Sequence, residues 1–299
     1  MKNFKKVFLC ALCAVTVVLF AGCSGVGSGA NAADLSGMIA REYNKVVSIV
    51  VNLTGNRRVS GSGIIIYHET DFCLIATNAH VVGYMDGSNN YIKYGGIGSP
   101  IQIQHWSDEL REGEIDYTYS PLYGYAYPDM FNYTSPALSS SDIIYADPHE
   151  DLAIIKYGKS KYATNFSGDI AATLRIEPLR VGEPVAALGF SLGVYYRASV
   201  GVVSQIFNPF SYDDDGIKKT FEHGFLHDAT AISGNSGGPV FDANGKVIGL
   251  TTMVGIVKTL DGSHDLLAMG FSIAISSRHI WDVVNAHKND VNWQLSAWA

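Results

Sequence analysis

Short β-branched and apolar runs, each closed by glycine, proline, asparagine or serine, recur along this chain and constrain its fold more than any other feature. They are Val46-Val47-Ser48-Ile49-Val50-Val51, residues 61–67 and 73–77, Ile143-Ile144-Tyr145, and residues 152–155, 184–190, 198–204, 246–253 and 269–275. Runs of this length between turn signals read as strands, and a series of them spaced in this way argues an all-β barrel pair. Two exceptions are helical. Residues 34–43 start a short helix with Asp34 at its N-cap position, and residues 277–287 space Ile280, Trp281, Val283 and Val284 along one face of a closing helix.

Within this pattern lies Gly234-Asn235-Ser236-Gly237-Gly238-Pro239, a serine set between glycines that hold a tight turn and leave backbone amides bare. A serine hydroxyl is a poor nucleophile alone and needs a base and an orienting carboxylate from elsewhere. His80, in Ala76-Thr77-Asn78-Ala79-His80-Val81-Val82, and Asp151, opening Asp151-Leu152-Ala153-Ile154-Ile155, supply both in the order His, Asp, Ser. At these three segments the chain resembles a chymotrypsin-fold serine protease of the HtrA/Deg type.

The resemblance implies two six-stranded antiparallel β-barrels with a short C-terminal helix. Barrel one would span about 45–158 with an insertion at 84–140, and barrel two about 174–276. It further implies a triad of His80, Asp151 and Ser236, with the amides of Gly234 and Ser236 forming an oxyanion hole. The pocket for the residue before the scissile bond is expected from Thr230, six residues ahead of Ser236, and from Phe271, Ser272, Ile273 and Ala274. No carboxylate stands at Thr230 to pair a buried lysine or arginine, so cleavage after small or medium apolar residues is expected. The resemblance covers residues 34–84 and 141–289; the few residues after position 289 are too short for the PDZ domain that many HtrA proteins carry.

The amino terminus carries a separate signal. Lys2, Lys5 and Lys6 precede an apolar run too short for a comfortable membrane span, which reads as an export signal over residues 1–22. Leu19-Phe20-Ala21-Gly22-Cys23 resembles a bacterial lipobox, so Cys23 is expected to be acylated and to tether the protein through the Gly/Ser-rich residues 24–33 to a membrane. The protease domain then covers 34–289 and a tail 290–299. Of the remaining cysteines, Cys10 and Cys13 fall inside the signal and Cys73 lies in an apolar run, so no structural disulfide is expected.

A net charge of −7 with no basic stripe excludes a nucleic-acid partner. No metal or other cofactor is expected: only His223 and His227 stand four apart, without the glutamate of a zinc-protease helix. Polypeptide substrates and a membrane are the implied partners. Residues 84–140 are tyrosine-rich, and only Ile101-Gln102-Ile103-Gln104 alternates like a strand; because this interval leaves directly after His80 and returns before Asp151, it is expected either to gate or extend the site or to be a self-packed surface excursion. The competing reading is a lipoprotein that keeps the protease fold but binds a peptide or envelope component without cleaving it.

Overall fold

Strands exposed on one face alternate apolar with polar residues; the runs at 46–51, 72–77 and 185–191 do not, because both of their faces are buried. The computed structural model describes residues 35–55, 57–95, 98–105, 137–158, 170–191, 195–207, 209–214, 217–221, 223–258, 265–293, 295 and 298. All of these lie in the unit Leu35–Ala299, one of the two into which contacts divide the chain. The expected signal, Cys23, the tether, Asp34 and most of the insertion fall outside the described residues.

Helix α1 (Leu35–Glu42) and a 3-10 turn lead into a six-stranded antiparallel sheet. Its strands are β1 (Val46–Leu53), β2 (Arg57–His68), β3 (Phe72–Thr77), β6 (Ile101–His105), β7 (Ile143–Asp147) and β8 (Leu152–Gly158), in the order β6-β1-β2-β3-β8-β7. The second half is a closed barrel, β10-β13-β16-β15-β14-β9. It is built from β9 (Pro184–Ser191), β10 (Tyr195–Phe207), β13 (Gly224–His227), β14 (Pro239–Asp242), β15 (Val247–Lys258) and β16 (Asp265–Ser276). Two small hairpins stand apart: β4 (Gly83–Met85) with β5 (Tyr91–Lys93), and β11 (Phe210–Asp214) with β12 (Ile217–Phe221).

Two closed barrels were expected, and only the second is closed among the described residues. In the first, the outer strands β6 and β7 do not pair; a single bridge joins Ile101 to Leu138, in the chain leading into β7. At the outer edge of β7 one carbonyl, that of Ile143, accepts from Lys93 Nζ at 2.8 Å.

The core divides along the two-residue period of the strands. Cys73 and Ile75 of β3, with Val47 and Ile49 of β1 and Ala153 and Ile155 of β8, fill the interior of the first sheet. Leu74, Ala76, Leu152 and Ile154 face the other way and join Ala186, Leu188 and Phe190 of β9 in a cluster shared by both halves. Val185, Ala187, Phe225 and Ala274 fill the barrel. Burying a side chain of leucine or isoleucine size is worth about 1.5–3 kcal/mol, so the shared cluster holds the halves firmly.

Helix α3 (Ser277–His287) closes the structure by adding Ile280 and Val284, one turn apart, to that same cluster. Its N-cap is Ser276, whose hydroxyl accepts from the Arg278 amide at 3.2 Å.

Candidate active site

Strand β3 ends at Thr77, and the four-residue helix α2 (Ala79–Val82) turns His80 away from the sheet. Its ring meets Asp151 at the start of β8. His80 Nδ1 lies 3.0 Å from Asp151 Oδ1 and 2.9 Å from Oδ2, while the His80 amide donates to Oδ1 at 3.1 Å. An ionised carboxylate only accepts, so Nδ1 carries the hydrogen and Nε2 keeps the lone pair of the neutral ring. The carboxylate is 1% exposed, whereas 40% of the His80 side chain remains open to solvent. A buried carboxylate that holds an open imidazole in one tautomer is the arrangement by which an acid orients a general base.

Asp151 adopts φ +53°, a left-handed conformation uncommon for a residue with a Cβ. The cost is met by hydrogen bonds, as its carbonyl accepts from Asn78 Nδ2 at 2.9 Å and from the Ala79 amide at 3.2 Å. Thr252 Oγ1 of β15 donates to Asp151 Oδ2. Thus the carboxylate is oriented from both halves. Sequence reasoning passed over Thr252, although two adjacent threonines in a strand buried on both faces leave hydroxyls that need partners. Tyr91 of β5 caps the other side, donating its hydroxyl to the Ala79 carbonyl at 2.6 Å. Burial, and then the charge of Asp151, push the Tyr91 phenol far up, so it stays a neutral donor.

Ser236 sits half-buried in the turn before β14. Its carbonyl accepts the Ser62 amide at 2.7 Å, and the Gly234 carbonyl accepts Ser62 Oγ at 2.8 Å. Ser62 Oγ also accepts the Phe190 amide at 2.8 Å. One buried hydroxyl of the first sheet therefore holds the serine turn and β9 together. Nothing in the sequence singles out Ser62, which reads as strand filler between Gly61 and Gly63.

Asn235 braces the turn through Ser191 Oγ, which donates to Asn235 Oδ1 at 2.7 Å. Gly237 has φ +80°, and a Cβ there would meet Thr77 Oγ1 at 2.2 Å and the Ser62 carbonyl at 2.3 Å, so glycine is required on both counts. Gly234 has φ +94°, and among the described residues neither its amide nor that of Ser236 donates to a backbone carbonyl. Both hydrogens are left for another acceptor. The described hydrogen bonds include none from Ser236 Oγ to the His80 ring; the backbone brings the two segments together, with Gly237 packed beside Asn78, two residues before His80.

Of the residues expected to line the specificity pocket, Thr230 is exposed and Phe271 is 37% exposed, whereas Ser272, Ile273 and Ala274 are buried. Ser199 Oγ fixes the Thr230 carbonyl at 2.7 Å, and Ser272 Oγ donates to the Ala229 carbonyl at 3.4 Å. Ile232, 37% exposed, adds an apolar surface that the sequence reading did not include. No cluster of His, Cys, Asp and Glu able to hold a metal occurs among the described residues.

The profile of the trypsin-like peptidase domain matches residues 61–250, more than half of the chain. The chain belongs to that family. Among its relatives, the serine protease Do-like HtrA of Lactococcus lactis subsp. cremoris is 30% identical over 146 residues, 48% of this chain and 34% of that protein. The probable periplasmic serine endoprotease DegP-like of Halomonas elongata is 30% identical over 151 residues, 50% of this chain and 28% of that one. This trypsin-like peptidase chain thus matches about a third or less of the length of those relatives. The HtrA-type protease AlgW with tripeptide superposes with a TM-score of 0.54 at 21% identity, covering 85% of this chain and 63% of that one. The active form of the Rv3671c protease from M. tuberculosis gives 0.54 at 17% identity, covering 87% of each. At these identities the likeness to solved structures is one of fold.

Proposed function

We propose that this peptidase-family chain is a serine endopeptidase that hydrolyses exported polypeptides. The observation that carries the reading is the His80–Asp151 pair, with a buried acid and an open ring, beside the turn that presents Ser236. Ser236 Oγ attacks the carbonyl, His80 Nε2 takes its proton and returns it to the leaving amine, and Asp151 holds the ring in the tautomer that leaves Nε2 free. The Gly234 and Ser236 amides receive the oxyanion, where loss of one donor costs about 2.7–4 kcal/mol of transition-state stabilisation. Thr230, Phe271 and the buried strand behind them form the pocket for a small or medium apolar side chain.

Several relatives are named as periplasmic, which supports action outside the cytoplasm. No helix among the described residues is long and apolar enough to cross a membrane, and anchoring is assigned to acylated Cys23. A second reading, a catalytically weak peptide-binding lipoprotein, is favoured by the lack of a Ser236–His80 hydrogen bond among those described; in free enzymes that bond is often long.

Labelling by a serine-directed phosphonate together with casein cleavage separates the two. Wild type is expected to do both and Ser236→Ala neither, with an unchanged circular dichroism spectrum. Undiminished cleavage by Ser236→Ala rejects the endopeptidase assignment, and labelling without cleavage supports the binding protein.

A further inference from the structure

Asp151 is preceded by a second acidic residue, and each of the two carboxylates holds a histidine from a different element. Asp151 Oδ2 meets His80 Nδ1 of α2 at 2.9 Å; Glu150 Oε2 meets His279 Nε2, in the first turn of α3, also at 2.9 Å. Tyr145 of β7 donates its hydroxyl to the same Glu150 oxygen at 3.0 Å. His279 is only 7% exposed, and the Glu150 side chain 26%. The hydrogen bond from His279 first, and that from Tyr145 as well, hold the Glu150 carboxyl below the ordinary carboxylate range against the opposing effect of burial.

The rest of the turn is equally bound. Asp147 Oδ1 accepts the His149 amide at 2.7 Å and the Glu150 amide at 3.2 Å, and the His149 carbonyl accepts the Thr220 amide of β12 at 2.8 Å. The turn leading into Asp151 is therefore gripped by α3 on one side and by the β11–β12 hairpin on another. A residue with positive φ and a Cβ is strained and persists only where its surroundings over-determine it. Here those surroundings include this grip. Helix α3 has no acidic residue in its own first turn, so Glu150 also brings the negative charge that a helix start favours.

We propose that Glu150, anchored by His279 and Tyr145, is a positioning residue: it fixes the backbone of Asp151 and, through it, the direction of the His80 imidazole. The inference rests on the reading of His80 and Asp151 as the catalytic pair. His279 is buried, so a purely stabilising role would show as lost stability and leave kcat and the His80 resonance of the folded variants unchanged. Adjacent Cα atoms are about 3.8 Å apart, so any tilt of Glu150 reaches Asp151 directly.

The test uses the full chain with Glu150→Ala, His279→Ala, the double variant, and Glu150→Gln, which keeps an acceptor oxygen for both anchors. Peptide hydrolysis is measured well below the unfolding temperature, and the His80 Nδ1 proton is followed by NMR in histidine-labelled protein. The alanine variants are expected to lose about ten-fold in kcat with KM within about two-fold, less than the roughly hundred-fold that a full 1 Å misplacement of a reacting group can cost. They should also displace the His80 Nδ1 proton resonance. The double variant should be no worse than either single one, as for residues acting as a unit, and Glu150→Gln should recover most of the signal and rate. Folded alanine variants with an unmoved His80 resonance overturn the proposal. Displacement of the resonance in a protein whose wild type cleaves nothing supports positioning and counts against the protease reading alone.

Discussion

Two hydroxyls from opposite halves, Ser62 and Thr252, reach the residues that matter most, and neither belongs to a recognisable motif. Thr252 is 4% exposed and donates to the carboxylate that orients His80. Replacing it with valine keeps the shape and removes the donor, leaving Asp151 Oδ2 with one fewer partner in a buried place; losses of this kind run to about 1–3 kcal/mol. Thr252→Val is expected to fold normally and to lower kcat about ten-fold, measured against a chromogenic peptide. An unchanged kcat sets Thr252 aside as a packing residue. At this scale the members of the proposed triad stand in segments whose neighbours announce them, whereas a supporting hydroxyl looks like any strand residue until its partner across the chain is known.

Among the elements, β13 carries a liability. His227 is fully buried, lies 6.0 Å from the Phe225 ring between centroids, and among the described residues makes no hydrogen bond of good geometry at either ring nitrogen, the Ala229 backbone and Asp228 only partly offsetting its burial. It pairs across the sheet with Val203 and with Ser272. Burial pushes its pKa down to about 4, below the value of about 6.5 for a free histidine. A histidine whose folded pKa is depressed leaves stability intact above the unfolded value and removes it as pH falls from about 6.5 towards 4, because the unfolded chain binds the proton first. The full loss is about 3 kcal/mol. His227→Leu should therefore lose less stability than wild type between about pH 7 and pH 4, by roughly that amount, in urea unfolding at both pH values. Equal losses in both proteins exclude His227 as the source.

β1, β3 and β9 were legible because they are buried on both faces and so read as apolar runs. β4 and β5, three residues each, offered no such run, and no local pattern encodes the lysine contact at the outer edge of β7.

For the whole molecule, the shared apolar cluster makes one cooperative body of two sheets. Leu188 of β9 is 1% exposed and packs in that cluster with residues of β3 and β8. Leu188→Ala should cost about 2–5 kcal/mol, as large-to-small changes in a core do. More tellingly, hydrogen exchange should show amide protection falling by the same factor at Ile75 in the first sheet and at Phe225 in the barrel. A loss confined to the barrel would mean that the halves unfold separately.

Ser62 sits on the first sheet, yet it is bonded to the carbonyls of Gly234 and Ser236 and to the amide of Phe190. The proposed nucleophile is thus shaped by a strand made long before it, and the proposed base by Thr252 and α3, which are made after it. A chain interrupted at Thr251 would contain every member of the proposed triad and still lack the hydroxyl that aligns it. On the proposed reading, full activity therefore waits on strands that come after every member of the triad in the chain.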